Sequence, residues 1–201
     1  LIIDWDGKGR VWVGERVEYR EGRRTGGAES VHSFWDRDSD LKKPEPATRP
    51  GRDRISWLED TNGDGVMDKK HVFAGDLDLA TSFCFYRDGV IVSQAPDILF
   101  LRDTDGDGQA DKREVLYTGL GTSDTHAVIN NLRWGLDGWI YATHGYSGSK
   151  QVTSGDGSKD FGGIGSGVLR FRADGTNIEM YSAKGGNCGG MYLSSDGELF
   201  L

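Results

Sequence analysis

The chain has 201 residues and a formal net charge of −8 at pH 7, from 24 Lys and Arg against 32 Asp and Glu. That length can bury the core of one or two domains, and the acidity argues against nucleic acid as a partner. With 31 Gly and 4 Pro, glycine runs at about twice its average usage of roughly 7%; this is the composition of a turn-rich β protein, and no stretch is long enough to span a bilayer.

The predicted elements repeat one unit along the chain. An apolar strand runs into an Asp-Gly pair, a second strand follows, and a third and fourth are joined by another turn. The first unit has strands over 1–4, 10–14, 54–59 and 70–74, and the second over 82–86, 90–93, 98–102 and 113–117. The third has strands over 131–135, 139–143, 168–172 and 178–182, and a fourth unit begins at Gly190. Asp6-Gly7, Asp88-Gly89, Asp137-Gly138 and Asp196-Gly197 supply the hairpin signals. Four-stranded units of this length read as propeller blades. The fold class is therefore all-β, a β-propeller of four-stranded blades, with a little over three of about six or seven blades present. Residues 1–201 are expected to form the N-terminal part of one propeller domain within a longer protein, because the sequence opens and closes on strand patterns.

A long insertion over 15–53 interrupts the first unit. It holds Val31-His32-Ser33-Phe34-Trp35 and Lys42-Lys43-Pro44-Glu45-Pro46. A solvated loop is preferred to an anion-binding lid.

Between the third and fourth strands of the first two units the same acidic loop is written twice, over 60–68 and over 103–111. Oxygen side chains recur at positions 1, 3, 5 and 9 (Asp60, Asn62, Asp64 and Asp68, then Asp103, Asp105, Asp107 and Asp111), with glycine at position 6. Hard cations need six to eight oxygens converging from one short segment, and this is the calcium-loop pattern. Glu114 falls at position 12 of the second copy, where a bidentate carboxylate closes the shell; His71 stands there in the first. Blade topology places both loops at the edge of the Asp-Gly turns, so calcium there is structural rather than catalytic.

The opposite edge gathers polar groups from three connections of the third unit: residues 119–130, 143–148 and 184–190. His126, Asp124, Asn130, Tyr146 and Asn187 are predicted to converge. His126 would be a general base with Asp124 orienting it, and Asn130, Asn187 and Tyr146 would bind a cofactor, the amides through a carbonyl or carboxylate. The competing expectation is that His126 only bonds a backbone carbonyl. His144 reads as a packing residue. Cys84, within Phe83-Cys84-Phe85, reads as a small buried hydrophobe, and a bridge to Cys188 stays open.

The run from Thr125-His126 through Asn131-Leu132-Arg133-Trp134-Gly135 to Trp139-Ile140-Tyr141 resembles the membrane-bound dehydrogenases of planctomycetes and verrucomicrobia. So do Ala95-Pro96-Asp97-Ile98-Leu99 running into the second acidic loop, and Asp4-Trp5-Asp6-Gly7 with Val11-Trp12-Val13. That family is similar to the soluble quinoprotein glucose and sorbosone dehydrogenases. The resemblance implies a calcium-stabilised propeller using pyrroloquinoline quinone, exported to the periplasm or membrane-associated, often followed by a c-type haem domain. It implies that His126 takes the proton of a sugar alcohol and that Asn187 contacts the quinone, with Gly186 where the family has arginine. The functional expectation is an exported quinoprotein-type dehydrogenase acting on a sugar or related alcohol. The alternative is a non-catalytic calcium-binding propeller that binds carbohydrate or protein. A calcium-propeller hydrolase ranks third, because the acidic residues cluster in hairpins rather than on an axis.

Overall fold

A computed structural model describes residues 2–17, 51–122, 124, 126–146, 148–183 and 185–201. The body of the 15–53 insertion, including His32, lies outside the described residues. Among those described, the protein is all-β and contains no helix, so none is long and apolar enough to cross a membrane.

The first meander is β1 (Ile2–Trp5), β2 (Val11–Glu15), β3 (Asp53–Glu59) and β4 (Lys69–Leu77), hydrogen-bonded in that order. The second is β5 (Ser82–Tyr86), β6 (Gly89–Gln94), β7 (Asp97–Arg102) and β8 (Lys112–Thr118). Next come β9 (Asn130–Trp134), β10 (Ile140–His144), β11 (Ser149–Ser154), β12 (Asp160–Ile164), β13 (Gly167–Phe171) and β14 (Ile178–Ala183). The third meander takes β9, β10, β13 and β14, and a short pair, β15 (Tyr192–Leu193) and β16 (Leu199–Phe200), follows. Pairing is antiparallel throughout these sheets.

The side-chain period of two explains how the meanders stack. Phe83, Val90, Val92, Leu99 and Leu101 of the second meander face the first, joining Trp12, Ile55, Phe73 and Leu77 in one core. Their neighbours Cys84, Ile91, Ile98 and Phe100 point the other way, into a core with Leu132, Ile140, Leu169 and Phe171 of the third. The second meander is thus buried on both faces, which is why β6 and β7 read as near-continuous apolar runs. Each fully buried Leu, Ile or Phe contributes about 1.5–3 kcal/mol. Polar bonds fix the stacking: Ser82 Oγ accepts from the Leu132 amide at 2.9 Å, and the Trp134 indole donates to the Phe85 carbonyl at 2.9 Å. Cys84 and Cys188 are both buried and both free.

The predicted strands fall where the sequence places them, within a residue or two at most ends. One hairpin was not expected. β11 and β12 leave the third meander between β10 and β13 and add to the outer edge of the second, making the order β12-β11-β8-β7-β6-β5. Thr153 pairs with Thr118 and Ser154 with Tyr117, and the Gly155 amide donates to the Leu116 carbonyl at 2.9 Å. The signal for it was Asp156-Gly157, a turn in which Gly157 has φ of +71°.

Antiparallel order places the Asp-Gly turns and both acidic loops at one edge of the meanders. The opposite edge carries the β8–β9 connection, the exits of β10 and β14, and the entry to β13.

Candidate functional site

The two acidic loops share one backbone frame. In the first, Asp60 accepts from the amides of Gly63 and Gly65, each at 2.7 Å; in the second, Asp103 accepts from Gly106 at 2.7 Å and Gly108 at 3.0 Å. All four glycines have positive φ, from +76° to +90°, a conformation that glycine takes without penalty. Asn62 and Asp105 each accept the amide two residues on, as do Asp64 and Asp107. Asp68 and Asp111 hold the Thr61 and Thr104 hydroxyls. The Gly65 amide holds the Asp60 carboxyl below the usual range, and the Thr104 hydroxyl does so for Asp111.

Ligand oxygens of Asp103, Asp105 and Asp107 lie within 4.8 Å of one another. Three convergent carboxylates on a rigid loop suit a hard divalent cation. Asp111 and Glu114 stand outside that cluster; Glu114 projects from β8, 3.8 Å from Lys112 Nζ. In the first loop Asn62 replaces one carboxylate. His71, at its position 12, stacks on Trp57 with ring centroids 3.6 Å apart and has Nε2 at 3.0 Å from Glu59.

At the other edge the structure brings Asp124, His126 and Tyr146 into contact. Asp124 is 2% exposed. Its Oδ1 accepts from the His126 amide at 2.8 Å and faces His126 Nδ1 at 3.1 Å, while the Tyr146 hydroxyl donates to Oδ2. Burial opposes charge on Asp124; the Tyr146 hydroxyl, the His126 amide and the His126 ring outweigh it and hold the carboxyl below the usual range. An ionised carboxylate only accepts, so Nδ1 of His126 carries a proton. The His126 side chain is 35% exposed.

Asn187 borders this group: a Cβ added to Gly145 would lie 2.5 Å from Asn187 Oδ1 and 2.5 Å from Ala127 Cα. Asn130 turns its Oδ1 to the Asn131 amide at 2.7 Å. Asn131, at φ of +58°, is the one that reaches across, donating to Thr143 Oγ1 at 2.9 Å and to the Gly189 carbonyl at 3.3 Å. Tyr146 therefore serves the dyad directly, a role that its distance of 22 residues from Asp124 along the chain concealed. His144 is fully buried as expected of a packing residue, but it is hydrogen-bonded at both ring nitrogens, to the Gly145 carbonyl and to Ser149.

A family model described as "Domain of unknown function (DUF7133)" matches residues 1–201. The chain belongs to the DUF7133 family. No curated protein matches it. The family description names no activity, so function has to be argued from the two edges of this DUF7133 domain.

Proposed function

We propose that the stacked meanders are blades of a β-propeller and that the chain is the proton-accepting part of an exported dehydrogenase for a sugar or related alcohol. The observation that carries this reading is the buried, ionised Asp124 orienting the exposed ring of His126. A substrate hydroxyl placed at Nε2 gives up its proton there. The imidazolium that results keeps its Nδ1–H on Asp124, whose charge offsets its own, and Tyr146 keeps the carboxylate from rotating away. The face-to-face meanders and the resemblance of the Thr125–Tyr141 run support the same reading.

Pyrroloquinoline quinone, which the resemblance implies, would accept hydride when bound. The three segments around the dyad carry a single Lys or Arg, Lys184, outside the described residues. The described groups there are one carboxylate, two imidazoles already engaged by Asp124 and by Gly145 and Ser149, amides and hydroxyls; with no guanidinium or ammonium among them they do not fit the quinone's carboxylates, and no step is derived through it. Calcium does fit the second acidic loop, where oxygens of Asp103, Asp105 and Asp107 would hold it and pin the β7–β8 hairpin.

The test is dye reduction by the full chain, folded and loaded with calcium, with a panel of sugars and related alcohols. Turnover that His126→Ala abolishes is expected. No turnover by a folded, calcium-loaded protein that nonetheless binds a sugar or a protein would sink the dehydrogenase and leave a carbohydrate- or protein-binding module at the same edge.

A further inference from the structure

The loop that carries the dyad is fixed from beneath by a buried serine. It leaves β8 at Thr118, and the Leu120 amide donates to the Pro96 carbonyl at 3.0 Å. The Gly121 amide then donates to Ser149 Oγ at 2.9 Å, the last described backbone hydrogen bond before Asp124. Ser149 opens β11, the strand that leaves the third meander to pair with β8.

The direction of each bond at Ser149 is forced. His144 Nδ1 faces the Gly145 carbonyl at 3.0 Å, and a carbonyl can only accept, so Nδ1 carries the proton. Burial disfavours a charged ring, and Nε2 of the neutral imidazole, at 2.8 Å from Ser149 Oγ, accepts the serine proton. That leaves the serine lone pairs to the Gly121 amide. His144 is fully buried and Ser149 is 7% exposed, so no solvent competes for these positions. Packing repeats the message: a Cβ on Gly121 would lie 1.9 Å from the Gly148 carbonyl oxygen, and one on Gly119 would lie 2.1 Å from that of Gln151. The dyad loop therefore rests on the 144–151 segment with no room for slack.

The same segment holds the dyad from its other side, through Tyr146 on Asp124 and Gly145 on Ala127. Two contacts touch the dyad or its flank directly. The third, Ser149 to Gly121, acts upstream, where the loop enters. A small movement at Gly121 reaches Asp124 within three residues, and a carboxylate shifted by about 1 Å no longer aligns with an imidazole.

We propose that Ser149 is a positioning residue of the site, oriented by His144 and acting through Gly121 to set the loop that carries Asp124 and His126. The inference rests on the reading of His126 as the base, and adds the residue that keeps the base in register.

The experiment reads the His126–Asp124 bond itself, independently of turnover. In the full chain, the proton on His126 Nδ1 should give a downfield imidazole resonance in water, assigned by its loss in His126→Gln. Ser149→Ala should abolish that resonance, and Ser149→Thr, which keeps the hydroxyl, should restore it. Ser154→Ala is the control, because Ser154 lies on the same strand but bonds Asp156 and the Lys159 amide at the far end of the hairpin; its resonance should be unchanged. An unaltered signal in a folded Ser149→Ala protein overturns the proposal. So does a Gly121 amide that exchanges in the wild type as fast as open-loop amides, a measurement that needs no variant to fold. A protein that shows the resonance and its dependence on Ser149 but never reduces dye would sink the dehydrogenase while leaving the positioning role in place.

Discussion

The acidic loops and the dyad stand at opposite edges of the same meanders and are built in opposite ways. Each acidic loop is complete within about twelve consecutive residues: its glycines, its amide donors and its carboxylates come from one stretch of chain. The dyad draws on the β8–β9 connection for Asp124 and His126, on the exit of β10 for Tyr146, and on β11 for Ser149. The contrast teaches where each site is vulnerable. A local loop depends on its own backbone conformation and on the ion it holds, whereas an assembled site depends on how closely separate backbones approach.

The sharpest way to break that contrast is to add one methyl group at each edge. A Cβ on Gly121 meets a backbone oxygen at 1.9 Å, while a Cβ on Gly106 meets nothing within 4 Å and faces only the strain of φ +82°. Gly121→Ala should cost about 3 kcal/mol, as overpacking against backbone does. Gly106→Ala should cost roughly 1–2 kcal/mol, the left-handed penalty alone. Thermal unfolding in chelator compares the two without any ion. Equal losses would show that the dyad edge relaxes as easily as an open loop.

Removing a ligand at each edge comes next. Asp107→Ala should lose, beyond the cost of its Gln109 hydrogen bond that shows in chelator too, up to about 2.7 kcal/mol of stability at a calcium concentration a hundred times the dissociation constant. Asp64→Ala should lose less, because Asn62 leaves the first loop a weaker cage. Asp124→Asn should lose the same amount in calcium and in chelator. A calcium-dependent loss at Asp124 would mean that the two edges are not independent.

The same contrast decides what could be read from the sequence. The acidic loops were legible because position 1, 3, 5 and 6 chemistry lies in consecutive residues. The meander strands were legible because Val90-Ile91-Val92 and Ile98-Leu99-Phe100-Leu101 lie between turn residues. Asp124 and His126 could be named from their place before a strand, but Tyr146 was assigned to a ligand because its bond to Asp124 spans two connections. Ser149 carried no signal at all: a serine among Gly, Ser and Lys gains its role only when β11 crosses to β8. That crossing was missed since β11 buries only Ser149, Val152 and Ser154 and β12 only Ile164, too few apolar residues for periodicity to register. Glu114 is the reverse case: position 12 in sequence, it stands on β8 outside the cluster of Asp103, Asp105 and Asp107.

Acid sharpens the comparison by a smaller amount. Burial pushes the pKa of His144 below its ordinary value. The unfolded chain takes up that proton near pH 6.5, whereas the folded one resists it. The stability so contributed is complete above about pH 6.5 and is lost as the pH falls toward the depressed folded value, by at most about 1.4 kcal/mol per pH unit. The carboxylates of Asp60 and Asp111, whose folded pKa values are lowered, keep their contribution until the pH drops below about 3.9. Between about pH 6 and 5 the slope should therefore belong to the dyad edge. Denaturant melts of the wild type and of His144→Gln across that window measure it; an undiminished slope in the variant would remove His144 as its source.

The smallest effect tests whether an acidic loop is as local as it looks. The second loop touches the first meander through the Ala110 amide, which donates to the Phe73 carbonyl at 2.7 Å, and through Trp57, whose indole N–H donates to the Gly108 carbonyl at 3.3 Å. The ring also stacks on His71 and lies 4.4 Å from the Arg10 guanidinium. Trp57→Phe keeps an aromatic face for both neighbours and removes the donor, a change of about 0.5–1.5 kcal/mol for one hydrogen bond. If the loops are local devices, calcium affinity should fall a few-fold at the second loop and stay constant at the first. The Gly108 and Gly65 amides, each bonded to its own loop's position-1 carboxylate, report the two occupancies separately in an NMR titration. A matching loss at Gly65 would mean that His71, standing at position 12 of the first loop and stacked on Trp57, carries the state of one loop to the other; the sequence-local description would then hold for the backbone and fail for the energetics.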